Sequence, residues 1–403
     1  MITAVSILEG ARFACQGSGA CCGGYVYGPI EDAVVRVVRA HRFTENGELL
    51  NGPADPFERT EIDGEFVRVL RRVDGRCVFL SRTNKCLIHQ EISPEAKPGL
   101  CRAYPFNVAL APNGVAYVSL NMECAGFADG SHGTLLEDTL EEDLPVLLAM
   151  PTQRVPPRVA WAGGVTLDFE SALAVEEAWL ADLEAPDRAV AACVRDLCAR
   201  WAEADLPAPG GGVAREGWLG EGWLGEGGLG EGGLGEGGLG EGWLGEGWLG
   251  GARAVAAPLI EAIRIVLGET VAVEQARGNL IDVALNRRGT DAAVAWLEGA
   301  SPVLGTRAGD AGDALMRLQL RNVVFGKALH RAPTVGAGLG LEVAKLALGA
   351  VLAEQLAGGA PVTPHHVNEG LRTLNRCLRL SGLDELGEDA AASAEALACA
   401  LGG

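Results

Sequence analysis

The pattern of apolar and polar positions divides the chain into unlike parts. Up to about residue 130 it favours short strands. Glu65–Leu70 is rich in β-branched residues and partly alternates, and Phe106–Leu110 and Val115–Leu120 flank Asn113-Gly114, a dipeptide suited to a tight hairpin turn. From 131 to 207 the apolar spacing turns helical, over 135–150, 171–184 and 187–203, with Pro186 at the entry to the last. Residues 252–403 are helical by the same criterion, over 254–267, 279–298, 310–331, 341–356 and 363–380. Thr363-Pro364 supplies an N-cap followed by proline at the first helical position, and Gly382 supplies a stop. Gly and Pro fall at most junctions, so this last part is expected to pack as a helical bundle.

Between the helical parts lies a segment with neither period. Residues 216–250 repeat Glu-Gly-[Trp/Gly]-Leu-Gly seven times, with Trp at 218, 223, 243 and 248. A five-residue period fits neither helix nor strand, and so much glycine makes ordering costly. The expectation for 208–251 is a disordered acidic linker. The predicted organisation is therefore α+β: a small module over 1–130, a helical segment over 131–207, the linker, and a helical bundle over 252–403.

Composition narrows the function classes. The 403 residues are 48% hydrophobic and 21% charged, enough to bury a core and to form two or three domains. Lys+Arg 33 against Asp+Glu 53 gives −20, which disfavours binding to nucleic-acid phosphates. The excess sits mid-chain, at −10 over 125–215 and seven unopposed acids over 216–250. No stretch reads as a secretory signal or a membrane span, so a cytoplasmic protein without membrane contact is expected. Eleven cysteines in a reducing compartment point to metal or redox chemistry rather than a disulfide framework. Seven of them fall within the first 124 residues.

Those seven form three elements and a follower. The first runs Phe13-Ala-Cys15-Gln-Gly-Ser-Gly-Ala-Cys21-Cys22-Gly-Gly24, three thiols among glycines that let the backbone wrap an ion. The second places Cys77 and Cys86 on either side of Arg82-Thr-Asn-Lys85, with His89 three residues further on. The third is Lys97-Pro-Gly-Leu-Cys101-Arg-Ala-Tyr-Pro-Phe106, and Cys124 lies at the far end of the expected hairpin. Soft thiolates select zinc and iron–sulfur clusters, usually four per structural zinc or per cubane. Seven exceed one four-ligand site by three. Adjacent Cys21 and Cys22 can face one ion only from a bent backbone.

The order Cys, Cys-Cys, then Cys-x-Phe-Leu, Cys-x-Ile-His and Lys-Pro-x-x-Cys-Arg-x-Tyr-Pro-Phe resembles the YkgJ-like cysteine-cluster family over about residues 12–127. The resemblance implies a zinc- or iron-chelating domain and nominates Cys15, Cys21, Cys22, Cys77, Cys86 and Cys101. The family's opening is Cys-x2-Cys-x2-Cys-Cys, and here Ser18 stands at its second cysteine. The four-thiol opening cannot form, so a complete site must recruit later cysteines. The layout through Cys124, followed by helices, is also similar to flagellin lysine N-methylases, a likeness that implies an iron–sulfur cluster with S-adenosylmethionine.

The remaining candidates have plainer readings. His89 has zinc-compatible spacing but reads first as a polar surface residue, and His365-His366 reads as a solvated helix start. Gly336-Ala-Gly-Leu-Gly340 lacks the preceding strand that a nucleotide-binding turn needs and reads as helix-start glycines. Cys193, Cys198, Cys377 and Cys399 read as core fillers. Arg71, Arg72, Arg76 and Arg102 read as solvated strand and turn ends. The expected function is an iron–sulfur cluster or zinc held by Cys15, Cys22, Cys86 and Cys101 first, with Cys21, Cys77 and Cys124 as alternates. The helical part would then bind a protein partner. The alternative is a protein lysine methylase using S-adenosylmethionine, which the absence of a convincing motif for that cofactor disfavours.

Overall fold

The computed structural model describes residues 2–15, 17–24, 28–62, 64–122, 124, 126, 133–140, 143–149, 153–203, 293–295, 297, 310–377 and 388–402. The repeat at 216–250 and the helices expected over 254–267 and most of 279–298 lie outside the described residues.

Strands and short helices alternate through the first part: β1 (Ala4–Ile7), β2 (Arg12–Phe13), α1 (Ala20–Gly24), α2 (Asp32–Ala40) and α3 (Gly47–Leu50). Then follow β3 (Phe57–Ile62), β4 (Glu65–Leu70), β5 (Arg72–Val73), β6 (Arg76–Cys77), α4 (Gly99–Ala103), β7 (Phe106–Leu110) and β8 (Val115–Leu120). The expected β7–β8 hairpin forms. Gly114 takes φ +85° and the Asn113 side chain accepts the Val115 N–H at 3.1 Å. The hairpin is the centre of a four-stranded sheet ordered β1-β8-β7-β10, where β10 is Gln153–Arg154. β1 runs parallel to β8, and β10 parallel to β7.

After β8 come β9 (Thr134–Leu135), α5 (Leu136–Thr139), α6 (Leu144–Ala149), β10, then a hairpin of β11 (Arg158–Ala162) and β12 (Val165–Asp168). Helices complete the chain: α7 (Phe169–Glu184), α8 (Val190–Glu203), α9 (Ala311–Phe325), α10 (Val335–Ala357), α11 (Pro364–Cys377) and α12 (Glu388–Gly402). The chain is thus α+β, with strands first and helices dominant later. Two differences from the sequence expectation stand out. The stretch 131–207 contains a strand hairpin, because Val159 and Trp161 alternate inward ahead of a Gly163-Gly164 turn. The helix expected to reach residue 331 stops at Phe325, where Gly326 lies against Ser119 and Lys327 adopts φ +59°.

Two cores organise the molecule. The larger joins the β7–β8 sheet, the β11–β12 hairpin and the helices, through residues such as Val108, Val118, Trp161, Trp179, Leu320 and Leu346. The smaller lies among α2, the β3–β4 hairpin and residues 78–92, where Phe79 stands 5.4 Å from Phe43 and 6.2 Å from Phe57, ring centre to ring centre. Asn322 of α9 fastens helices to sheet. β1 leaves β8 at Val118, so Leu120 has no strand partner on that edge. The Asn322 amide replaces one, accepting the Leu120 N–H at 2.8 Å and donating to its carbonyl at 2.9 Å.

α10 is long and apolar enough to cross a membrane, yet every residue of that apolar window is buried within the fold. Thr334 caps it by accepting the Ala337 N–H at 3.0 Å. Its glycines are contact points rather than a ligand turn: a Cβ at Gly336 would overlap Trp201, and one at Gly340 would overlap the Ala394 carbonyl of α12. Cys193 and Cys198 are buried in the larger core and Cys399 partly so, as fillers.

A buried ionic cluster ties α7 to the turn after α9. Glu176, fully buried, accepts from Lys327 at 2.7 Å and His330 at 2.6 Å, and the Lys327 ammonium lies 4.4 Å from the Tyr117 ring centre. Burial pushes the Glu176 pKa up, but the charges and hydrogen bonds of His330 and Lys327 outweigh it and hold the group below its ordinary 4.5. A carboxylate lowered in the folded chain adds stability above its unfolded pKa, and that contribution is lost as pH falls through the folded value. Glu176→Ala strands a buried cation and is expected to lower the unfolding free energy by about 3–5 kcal/mol at pH 7. In urea unfolding the gap to wild type should narrow as pH drops below the carboxylate range.

Candidate metal centre

The opening cysteines are placed by β2 and by glycine. β2 pairs antiparallel with β9, and Phe13 packs edge-on against Phe106 at 5.8 Å, so Cys15 emerges from the wall of the larger core into an exposed position. Gly17 and Gly19 then take φ +60° and +67°, a conformation other residues enter at a cost, and turn the chain into α1. The Gly23 N–H closes that helix on the Gly19 carbonyl at 3.2 Å. The Arg72 guanidinium bonds both the Gly23 and Gly75 carbonyls, fixing α1 to the β5–β6 turn. Cys22 is thereby held beside Cys77.

Cys77 and Cys86 stand at the two ends of a closed loop. Leu87 N–H bonds the Phe79 carbonyl at 2.8 Å, Leu80 and Cys86 form an antiparallel bridge, and Ser81 Oγ accepts the Lys85 N–H at 2.9 Å. Inside the loop, Asn84 accepts from Arg76 at 2.6 Å. Cys101 sits on α4, whose Gly99 N–H donates to Glu31 at 3.0 Å. Arg102 on the same helix pairs with Asp143 at 3.1 Å rather than with a thiol. Cys124 follows β8, and its sulfur accepts the Gly126 N–H at 3.3 Å. Gly126 in turn accepts the Ala14 N–H at 3.4 Å, which brings the Cys124 segment alongside the Cys15 segment.

These segments enclose a cavity of about 670 Å³, and all seven thiols named from the sequence line it: Cys15, Cys21, Cys22, Cys77, Cys86, Cys101 and Cys124. Phe13, Phe79 and Phe106 supply apolar lining, and Lys85, His89 and Lys97 polar lining. Among the described residues no three His, Cys, Asp or Glu side chains converge on a single coordinating point. The thiols surround a volume. Lys97 was not singled out from the sequence, although lysine occurs only four times in the chain and Lys97 opens the Cys101 motif. His365-His366 lies apart at the start of α11, where His366 Nδ1 accepts the Thr363 N–H at 3.1 Å.

The electrostatics show what the cavity lacks. Burial pushes the Cys77 thiol up to about 12 and the Cys124 thiol up to about 11. Cys101 is raised by burial and then by Cys77 and Cys86. Cys21 and Cys22, with sulfurs 3.9 Å apart, behave as one unit: a hydrogen bond between them lowers Cys21 and raises Cys22. Cys21 is lowered to about 6, whereas Cys77, Cys101 and Cys124, left to themselves, stay mostly protonated. A multiply charged soft cation reverses that, since a coordinated thiol is deprotonated outright. The donor set fits such a group.

Residues 14–125 match a protein-family model, CxxCxxCC, whose description is "Putative zinc- or iron-chelating domain". The N-terminal module is a cysteine-cluster domain. The match spans the whole thiol-lined cavity, from the segment before Cys15 to the one after Cys124, and ends before the helical part. No curated protein and no solved structure matches the chain.

The cysteine-cluster domain depends on Gly126 for its closure. A Cβ there would overlap the Phe13 ring and come within 2.8 Å of the Ala14 carbonyl. Gly126→Ala is expected to cost about 1–3 kcal/mol by overpacking, seen as a lower thermal midpoint. It should also speed alkylation of Cys124 in the metal-free protein.

Proposed function

We propose that the cysteine-cluster domain holds an iron–sulfur cluster, with Cys22, Cys77, Cys86 and Cys101 as its ligands. One observation carries this reading: seven thiols from separate segments line a single cavity of about 670 Å³, more thiols and more room than one four-ligand ion uses. A lone tetrahedral zinc, with Zn–S near 2.3 Å, draws its four sulfurs to about 3.8 Å of one another. A cluster built with bridging sulfides spans more space and takes its four thiolates from a wider ring. Cys77 replaces Cys15 in the preferred set because Cys77 packs with Cys22, Cys86 and Cys101 against the smaller core, whereas Cys15 is exposed. Glycine-rich backbone at 17–24 supports N–H donation toward cluster sulfur.

The helical part fits a partner-binding or supporting role in a cytoplasmic protein better than a methyl-transfer site. Among the described residues, the glycine run at 336–340 that could have served S-adenosylmethionine is filled by Trp201 and α12.

Anaerobic purification, metal and acid-labile sulfide analysis, and a visible spectrum test the proposal. The expected result is brown protein with iron and sulfide in matching amounts. Cys77→Ser and Cys101→Ser should lose most of the iron, while Cys193→Ser, remote in the larger core, should keep it. Colourless protein carrying zinc and no sulfide would contradict the cluster.

A further inference from the structure

We propose that β3 pairs edge to edge and antiparallel with β3 of a second copy of this chain, in the register that sets Thr60 opposite Thr60. The β3–β4 hairpin is a two-stranded sheet, and among the described residues no strand covers the outer edge of β3. Glu58, Arg59 and Glu61 are exposed there, and Phe66 on β4 is 66% exposed. An edge of unpaired N–H and C=O groups is a template for another strand.

The ladder shows which groups face outward. Along an antiparallel pair, residues whose N–H and C=O bond the neighbouring strand alternate with residues whose groups point away from it. Arg71 donates to the Pro56 carbonyl at 2.9 Å, which sets the alternation. Arg68, opposite Arg59, instead accepts the Ile30 N–H at 2.9 Å on the side away from β3. Arg59 and Glu61 therefore aim their backbone groups at the free edge. Phe57 belongs to the same outward set, but its N–H already donates to the Asp55 side chain at 3.3 Å.

Outward groups must meet outward groups, and that leaves few symmetric registers. Centring the pair on Glu58, Arg59 or Glu61 sets a charge directly opposite its own copy. Centring it on Thr60 sets Arg59 of each copy opposite Glu61 of the other, and every outward N–H and C=O of those residues gains a partner. Opposite charges facing across strands stabilise the pairing, and like charges oppose it. Within the chain both groups are left available for this. Arg68 pairs with Asp32 at 2.6 Å, whereas Arg59 lies over the Phe66 ring, 5.7 Å from its centre. Neither Arg59 nor Glu61 has an ion-pair partner among the described residues. A strand edge this short buries less than the roughly 1,000 Å² of a stable interface, so the dimer is weak and concentration-dependent.

Sedimentation velocity of the full chain as isolated, from about 5 to 500 µM, tests the proposal. Wild type should pass from monomer toward dimer across that range. Arg59→Glu alone and Glu61→Arg alone should each weaken association by about tenfold or more, because both set like charges opposite one another. The two substitutions combined restore opposite charges and should restore the dimer. Wild type that stays monomeric throughout overturns the proposal. So does association unchanged in either single variant, and so does a double variant that remains monomeric. Both positions are exposed, and far-ultraviolet circular dichroism establishes that each variant is folded. The measurement needs no metal, so its outcome is separate from that of the cluster reading.

Discussion

A sulfur buried among other sulfurs can be a thiolate only against a cation. That constraint explains the arrangement of the N-terminal module. Cys77 and Cys101 are raised by burial and by neighbouring thiols, and two nearby guanidinium groups are committed elsewhere, Arg72 to carbonyls and Arg102 to Asp143. A fold that gathers seven thiols around one volume, against the lining cations Lys85, Lys97 and Arg102, leaves the rest of the countering charge to a metal. Glycine, the tight loop at 81–85 and the close contact at Gly126 all serve to bring separate stretches of chain to the same cavity.

The helical part meets a different demand. Its larger core runs without interruption into the β7–β8 sheet, so the wall bearing Cys124 is backed by α9 and the helices behind it. Asn322 completes the hydrogen bonding of Leu120, and the Glu176 cluster pins α7 to the turn carrying Lys327 and His330. These buried polar contacts lie in the backing of the sheet. They hold one wall of the site still while the other wall is built by the smaller core.

The chemistry of the site was more legible in the sequence than its geometry. Cysteine spacing is local, and the three motif elements, with Cys124 after them, named every thiol that lines the cavity. Which thiols share a wall is not local: it depends on Phe79 packing beside Phe43 and Phe57 and on Ala14 meeting Gly126, contacts across tens of residues. The β7–β8 hairpin was readable because Asn113-Gly114 is a strong turn between alternating runs. The β11–β12 hairpin was hidden by the helical spacing on either side, although Gly163-Gly164 marked its turn. Charged residues within helical stretches, such as Glu176 and Lys345, carried no sign that they would be buried. The glycines at 336–340 were placed correctly at a helix start, but their purpose, close helix packing, depends on partners far along the chain.

The most direct measurement is X-ray absorption at the metal edge of the anaerobically isolated chain. The account predicts a first shell made of sulfur, with iron–iron scattering beyond it from a cluster. A first shell dominated by nitrogen and oxygen would contradict the claim that the cysteine cavity is where the metal is held.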